Sequence, residues 1–480
     1  MPITVLSVAS EAYPLIKTGG LADVVGALPG ALSAHGVETV TLLPGYPAVM
    51  AALNAPSEIA DMGDVFGGHA RLLRGMAGGL HIVAADAPHL FARAGGPYVD
   101  AAGAEWPDNA FRFAALAKAA AQIGGGGSSL PAPQIVHLHD WQPGLAAAYL
   151  AYGGGPRPKI VATIHNIAFA GWFPASLAPA LGLPSEAMQI DGVEFYGGVG
   201  YLKSALYFAD RITTVSPTYA SEILRPEFGQ GFEGLLSARA SALSGVLNGI
   251  DTEVWNPETD PRLAARFGRA DLAPRKTNKL TLAQRFGLEP NGERLLFGVV
   301  SRLSDQKGLD LLADAVPTLV GLGASLSLVG AGDPGLERRF GDLAAEHPGR
   351  VGCFFGYDEA LARLVQGGAD ALLVPSRFEP CGLTQLCALR YGAIPVVART
   401  GGLADTVIDA NPMALAAGVA TGIQFSPVAL APLESALRRT AALYANGAAW
   451  AQLQRNAMAT DVSWGASAET YAALYRDLLA

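Results

Sequence analysis

Three cysteines in 480 residues (Cys353, Cys381 and Cys387) are too few for a disulfide framework, which leads us to expect a reducing, cytoplasmic setting. Charge is scarce as well. Only 16% of residues are Asp, Glu, Lys or Arg, and 33 basic against 42 acidic side chains leave a net charge of −9. Such a chain offers no broad electropositive field, so neither nucleic acid nor a membrane surface is an expected partner. Any anionic ligand must be met by a few local cations. No Asp-x-Asp pair occurs, so no acidic pair is at hand to hold a divalent metal on a diphosphate, and neither metal nor cofactor is expected. The N-terminus, Met1-Pro2-Ile3, has no basic stretch, and Glu11 interrupts the apolar run too early for a signal peptide. One uncharged segment, Ala410 to Leu433, is long enough to span a bilayer. Its prolines (Pro412, Pro427 and Pro432) would strand carbonyls in lipid, so it reads as loop, short strand and helix start.

What the chain does have is apolar content, 50% of residues, enough for large cores. Short apolar runs alternate with helix-length Ala/Leu-rich segments. The first strand series is Ile3–Val8, Thr39–Leu43, His81–Ala85, Ile135–His139, Ile160–Ile164, Arg211–Val215 and Gly245–Leu247. The second is Arg294–Val300, Ser325–Val329, Val351–Phe355, Ala371–Val374 and Ile394–Val397. These are continuous β-branched or Leu runs rather than alternations, as strands buried on both faces require. Alternating strand and helix predicts an α/β architecture with parallel sheets. A Gly-rich stretch, Gly124 to Ser129, reads as a surface loop, and the segment from Asn248 to Arg275 as an interdomain linker. With a parallel sheet in each half, ligands are expected in the crevice at the carboxyl ends of the strands.

Four motifs carry the chemistry. Lys17-Thr18-Gly19-Gly20 follows a strand and opens a helix, placing a cation beside free backbone N–H groups. It lacks the spacing of a Walker A loop and does not fit Gly-x-Gly-x-x-Gly. A solvated lysine on a plain turn would look the same. The text recurs as Arg399-Thr400-Gly401-Gly402-Leu403-Ala404-Asp405, which suggests two anion-binding corners. Arg302 and Lys307 follow a strand and can clamp a diphosphate, the first as a fork and the second as a point charge, unless they merely pair with Asp305. Glu379, in Pro375-Ser376-Arg377-Phe378-Glu379-Pro380-Cys381-Gly382-Leu383-Thr384, sits between prolines and ahead of a helix N-terminus, so it reads as positioned rather than solvated. His139-Asp140-Trp141 and His165-Asn166 end strands of the first half, as acid–base groups or as caps. Zinc at His137, His139 and His165 is set aside, because no cysteine or helical His-x-x-x-His accompanies them.

Together these motifs resemble the family of bacterial glycogen synthases and plant starch synthases. The resemblance rests on Ser10-Glu11, Lys17-Thr18-Gly19-Gly20-Leu21-Ala22-Asp23-Val24, His137-Leu138-His139-Asp140-Trp141, Thr163-Ile164-His165-Asn166 and Val246-Leu247-Asn248-Gly249-Ile250-Asp251. Arg302 with Lys307, Phe354-Phe355-Gly356-Tyr357, the Glu379 loop and Thr400-Gly401-Gly402-Leu403 complete it. Gly422-Ile423-Gln424-Phe425 departs from the pattern, where an aromatic after the glycine is expected.

The resemblance implies a GT-B fold: two Rossmann-like parallel-sheet domains facing each other across a crevice. Residues 1–248 would form the acceptor-side domain, 249–275 a hinge, and 276–460 the ADP-glucose-side domain. Residues 461–480 would form a helix packing back on the first domain. It implies a retaining glucosyltransferase that moves glucose from ADP-glucose to the non-reducing end of an α-1,4-glucan. On that resemblance Lys17, Arg302 and Lys307 meet the diphosphate, Gly19 and Gly20 belong to the ADP-glucose site, and Tyr357 stacks on adenine. Glu379 and His165 approach the glucosyl unit, and Cys381, Gly382, Leu383 and Thr384 line the donor site. Glu11, Asp23, Asp140, Asn166 and Asn248 fall in the matching motifs as further site residues. Rival readings are a UDP-glucose or sucrose-type GT-B transferase and a non-catalytic sugar-nucleotide or glucan binder. A third is an NAD-dependent oxidoreductase, for which no Gly-x-Gly-x-x-Gly constellation after a strand is expected.

Overall fold

Apolar runs bounded by turn residues become parallel strands covered on both faces, and the chain uses them twice. The computed structural model describes residues 2–480 and divides into two units, Met1–Asn248 with Trp464–Ala480, and Gly249–Ser463.

The first unit holds β1 (Ile3–Val8), β2 (Val37–Pro44), β3 (Asn54–Asp64), β4 (His69–Ala77), β5 (Leu80–Asp86), β6 (Ile135–His139) and β7 (Lys159–Ile164). It continues with β8 (Trp172–Pro174), β9 (Glu194–Phe195), β10 (Gly198–Gly200), β11 (Arg211–Thr214) and β12 (Leu243–Gly245). Its main sheet runs β12-β11-β7-β6-β1-β2-β5-β4-β3, parallel from β12 to β5 and antiparallel over β5-β4-β3. The β3–β4 hairpin was not among the expected strands. Mostly exposed and with three register shifts, it lacks the apolar run that marks its neighbours. A separate sheet, β8-β10-β9, also escapes a search for runs, because its strands are two or three residues long.

The helix Gly20–Ser33 buries Leu21, Val24, Val25, Leu28 and Leu32, one stripe at helical spacing. Part of that stripe meets Tyr471, Tyr475 and Leu478 of the last helix, Gly465–Leu479, in one core. The last helix is also tied by Tyr475 Oη to His137 Nδ1 at 2.7 Å and by Arg476 donating to the His35 carbonyl at 2.9 Å.

The second unit holds β13 (Leu296–Val300), β14 (Ser325–Gly330), β15 (Val351–Phe355), β16 (Ala371–Val374), β17 (Ile394–Ala398) and β18 (Ile423–Phe425). All are parallel, in the order β15-β14-β13-β16-β17-β18. Residues 249–275 are stitched onto this unit. The buried Arg363 guanidinium donates to the Val254 carbonyl at 2.6 Å, pairs with Asp260 at 3.2 Å and lies 4.0 Å from the Trp255 ring. The uncharged stretch 410–433 folds as a short helix, Pro412–Ala416, then β18 and the start of the helix Leu430–Ala445. No helix among the described residues is long and apolar enough to cross a membrane.

Candidate active site

In the second unit β13 has β14 on one side and β16 on the other, so the connections reverse direction between β13 and β16. Loops leaving the carboxyl ends of such strands splay apart and leave room for a ligand. Lys307 comes from the loop after β13 and Glu379 from the loop after β16. Lys307 Nζ lies 2.5 Å from Glu379 Oε2, and Ser376 Oγ donates to the same oxygen at 2.9 Å. Glu379 is buried, so its carboxylate is held in place by one cation and one hydroxyl rather than by water. The two loops are braced to each other. Arg377 N–H donates to the Gln306 carbonyl at 2.9 Å, and the Arg377 guanidinium forks onto Asp310 at 2.7 and 2.6 Å.

A pocket opens beside this pair, lined among others by Ser301, Lys307, Ser376, Glu379, Gly382, Leu383 and Thr384. The helix Thr384–Tyr391 starts there with no side-chain cap, so its first-turn N–H groups are available to an anion. Arg302 and Tyr357 lie outside the pocket wall. Arg302 is exposed, and Tyr357, after β15, is 82% exposed with its ring open to a stacking partner. Cys381, in the Glu379 loop, is buried.

The second Gly-Gly corner is filled by the protein itself. A Cβ on Gly401 would lie 2.0 Å from the Glu379 carbonyl oxygen, and one on Gly402 would lie 2.3 Å from that of Cys381. Gly402 N–H donates to the Glu379 and Pro380 carbonyls at 3.0 and 3.1 Å. These glycines exist so that the Glu379 loop can rest on them. The repeated text therefore has two uses, because a Cβ on Gly19 would meet nothing within 4 Å.

In the first unit the corresponding switch lies between β1 and β6. Glu11 is buried just past β1, and its carboxylate accepts from Thr18 N–H, the Thr18 hydroxyl, Gly19 N–H at 3.3 Å and the Tyr98 hydroxyl. Tyr98 Oη also pairs with Ser10 Oγ at 2.8 Å. Glu11 thus shapes the Lys17–Gly20 loop from beneath. Lys17 Nζ pairs with Asp23 at 2.7 Å, one turn into the helix, and sits 5.6 Å from the Tyr13 ring.

Beyond β6 and β7, Asp140 takes a left-handed backbone (φ 61°) and accepts from the N–H groups of His165 and Asn166 at 2.7 and 3.3 Å. Desolvation pushes the Asp140 carboxyl up to about 7, against the pull of those two N–H groups. Asn166 closes a local turn onto Ala168 N–H at 3.1 Å. His165 Nε2 meets His139 Nδ1 at 3.0 Å, and desolvation lowers His165 to about 3. His165 is therefore neutral near pH 7, a hydrogen-bonding group rather than a proton donor. Asn248 is buried with no hydrogen-bond partner for its Oδ1, so it touches none of the candidate groups through that atom.

Three residues support the site without having been assigned to it: Ser376 on Glu379 and Ser10 on the Glu11 network, which stand in the quoted motifs with no role given, and Tyr98, which stands in none. Ser376 could have been found from its place inside the Pro375–Pro380 loop, whereas Tyr98 lies 87 residues from its partner Glu11.

The expectation about Gly-x-Gly-x-x-Gly also needs correction. Gly330-Ala331-Gly332-Asp333-Pro334-Gly335 matches it, ends β14 and opens the helix Pro334–Glu346. A Cβ on Gly330 would lie 1.8 Å from the Ser301 carbonyl oxygen, and one on Gly332 would lie 2.2 Å from that of Leu303. The loop after β13 therefore fills the space beside both glycines. Downstream, Asp358 caps the helix Glu359–Gly368 by accepting from Leu361 N–H at 2.9 Å. The pattern serves packing and does not build a dinucleotide site.

Among the described residues no cluster of three or more His, Cys, Asp or Glu side chains is placed to hold a metal ion.

Comparison with known proteins gives a consistent neighbourhood. The family described as "Starch synthase catalytic domain" matches residues 4–238, and that described as "Glycosyl transferases group 1" matches residues 281–427. The chain is 59% identical to a glycogen synthase of Rhodopseudomonas palustris (strain HaA2), over 99% of each. It is 57% identical to one of Acidiphilium cryptum (strain JF-5), again over 99% of each. Among solved structures, the catalytic domain of starch synthase IV from Arabidopsis thaliana, bound to ADP and acarbose, superposes with a TM-score of 0.90 at 31% identity over all of both chains. A sucrose-phosphate synthase from Thermosynechococcus elongatus shares the fold at a TM-score of 0.60 and 18% identity, over 99% of each chain.

Proposed function

Because the chain belongs to the glycogen and starch synthase family, a group of GT-B glycosyltransferases, we propose that its donor is ADP-glucose and its acceptor the non-reducing end of an α-1,4-glucan. It is a retaining hexosyltransferase of glycogen biosynthesis. The observation that carries the assignment of the site is the pairing of half-buried Lys307 with buried Glu379 at the switch point of the second sheet.

Departure of ADP builds negative charge on the diphosphate and positive charge on the anomeric carbon. Lys307, Arg302 and the uncapped helix start at Thr384 oppose the first charge, with Lys17 assigned to the same diphosphate by its motif. Gly19, which has open space where a side chain would be, lets the backbone approach that group. Glu379 opposes the second charge and orients a glucose hydroxyl. Because Lys307 is ion-paired to Glu379, the two charges on the reacting sugar nucleotide are mirrored by one salt-bridged pair. Neutral His165 donates to or accepts from a sugar hydroxyl. Tyr357 supplies a face for the adenine, and Gly382 and Leu383 close the donor pocket beside Cys381. The expected compartment is the cytoplasm.

The test is ADP release by the purified chain with ADP-glucose against UDP-glucose, with and without glycogen. Release that needs both ADP-glucose and the glucan supports the reading. Preference for UDP-glucose, or release independent of glucan, overturns it.

A further inference from the structure

Ion pairs open to water usually hold little, but the one between Arg377 and Asp310 joins the loop after β16 to the helix that follows the loop after β13. It is a fork, with two N–H···O bonds at 2.7 and 2.6 Å, and so fixes direction as well as distance. Neither residue lines the pocket beside Lys307 and Glu379, so whatever they do for that pocket they do through other residues.

The residues flanking Lys307 are tied one after another to those flanking Glu379. Arg377 Nη1 donates to the Asp305 carbonyl at 2.6 Å, and the Arg377 backbone N–H donates to the Gln306 carbonyl at 2.9 Å. The Gln306 side-chain amide donates back to the Phe378 carbonyl at 3.3 Å. Gly308 takes a left-handed backbone (φ 64°), and a Cβ there would fall 2.1 Å from the Pro375 carbonyl oxygen. Bracing positions (305, 306 and 308 on one loop, 375, 377 and 378 on the other) thus stand next to the three whose side chains meet, Lys307, Ser376 and Glu379.

A lysine ammonium rides on a flexible four-carbon stem, so its place depends on how firmly the backbone beneath it is held. Asp310 supplies a fixed post. It stands in the first turn of the helix Leu309–Gly321, whose inner face buries Leu309, Leu312, Val316 and Leu319. Arg377 grips that post and, with the same guanidinium, the carbonyl of Asp305 two residues before Lys307. The Arg377 and Asp310 side chains are themselves 32% and 35% exposed, outside the buried core of the unit.

We propose that Arg377, anchored on Asp310, is a positioning residue that sets the geometry of the Lys307–Glu379 pair and through it the rate of glucosyl transfer. This rests on the donor-site reading above. The experiment compares the unaltered full chain with Arg377→Lys, Arg377→Ala, Asp310→Ala and the double variant Arg377→Ala/Asp310→Ala. Lysine keeps the charge but cannot make the fork. Amide hydrogen exchange is followed without any ligand, ADP affinity by calorimetry, and steady-state transfer from ADP-glucose to glycogen alongside. The expected result is faster exchange confined to residues 301–309 and 375–383, with kcat lower by about tenfold or more in both Arg377 variants. ADP affinity and the KM for ADP-glucose should stay within about threefold, because a misplaced carboxylate is felt mainly as the sugar becomes cationic. The loss in the double variant should fall short of the product of the two single losses, since either single change already opens the fork. Unchanged exchange in the two loops overturns the proposal. So does a lower thermal midpoint with kcat unchanged, which would make the pair merely structural, and so does full turnover in Arg377→Lys. If exchange rises in the two loops of the variants while the unaltered chain transfers no glucose, Arg377 stands as the residue that sets the Lys307–Glu379 geometry and the transferase reading fails.

Discussion

His139 Nδ1 stands 3.0 Å from His165 Nε2, and His139 Nε2 stands 3.1 Å from Ser7 Oγ, so a buried imidazole links the candidate sugar-site histidine to the end of β1. Two neutral rings in contact must divide the roles, one donating and the other accepting. A charge on both would leave two N–H groups facing each other. Below them His137 is held by Tyr475 at 2.7 Å and by Thr163 at 2.5 Å.

Stability should fall as the medium is acidified from pH 7 to pH 5. Burial lowers His137 and His165 to about 3, and lowers His139 well below its ordinary value. The unfolded chain protonates these rings below about 6.5 while the folded chain does not, so each costs roughly 2 kcal/mol by pH 5. Asp140, raised to about 7, acts in the opposite sense. Its contribution is present at low pH and lost as pH rises through 7, so it offsets about one of the three histidines. The thermal midpoint should therefore be several degrees lower at pH 5 than at pH 7. A midpoint that is equal or higher at pH 5 would show that the three rings are not held neutral.

Tyr98→Phe should loosen the Lys17–Gly20 loop. It removes one of the hydrogen bonds that satisfy buried Glu11, a loss of about 1.5–3 kcal/mol for a bond to a charged group. We expect lower thermal stability and a KM for ADP-glucose raised severalfold, with kcat changed less. Parameters identical to the unaltered chain would mean that the Glu11 network does not govern the loop.

Turnover should survive exhaustive chelation. Lys307, Arg302 and the N–H groups at Thr384 supply the positive field that a divalent ion gives other sugar-nucleotide enzymes. Loss of most activity in EDTA, restored by magnesium or manganese, would contradict this.

Cys381→Ser should keep appreciable activity, since the residue, in the Glu379 loop, is buried and is not among those lining the pocket, and its backbone rests on Gly402. A bulky thiol reagent, if it reaches Cys381, should block turnover by displacing that loop. A serine variant as inactive as Glu379→Gln would give the thiol a chemical role.

The parallel sheets were legible because buried strands need continuous apolar runs. Ile3–Val8, Ile135–His139, Val351–Phe355 and Ala371–Val374 form with the expected bounds. The last strand of the first sheet lies at Leu243–Gly245, starting two residues before the expected run, because the ladder with β11 ends at Gly245 and leaves Val246 and Leu247 outside it. The β3–β4 hairpin and the β8-β10-β9 sheet were illegible, being exposed or too short to carry a periodic signal. In the candidate site, Lys307 and Glu379 could be read because each ends a buried strand. Their direct contact could not, since it spans 72 residues and depends on β13 and β16 being neighbours. The second Thr-Gly-Gly was misread for a related reason. Glycines needed for a ligand and glycines needed for a neighbouring loop look the same in sequence.

The central claim is that Glu379, fixed by Lys307 and Ser376, opposes charge that develops only as the glucosyl–phosphate bond breaks. The most direct measurement is Glu379→Gln, assayed for ADP binding by calorimetry and for glucosyl transfer from ADP-glucose to glycogen. The account predicts normal folding, ADP affinity close to that of the unaltered chain, and transfer lower by several orders of magnitude. Turnover like that of the unaltered chain would contradict it.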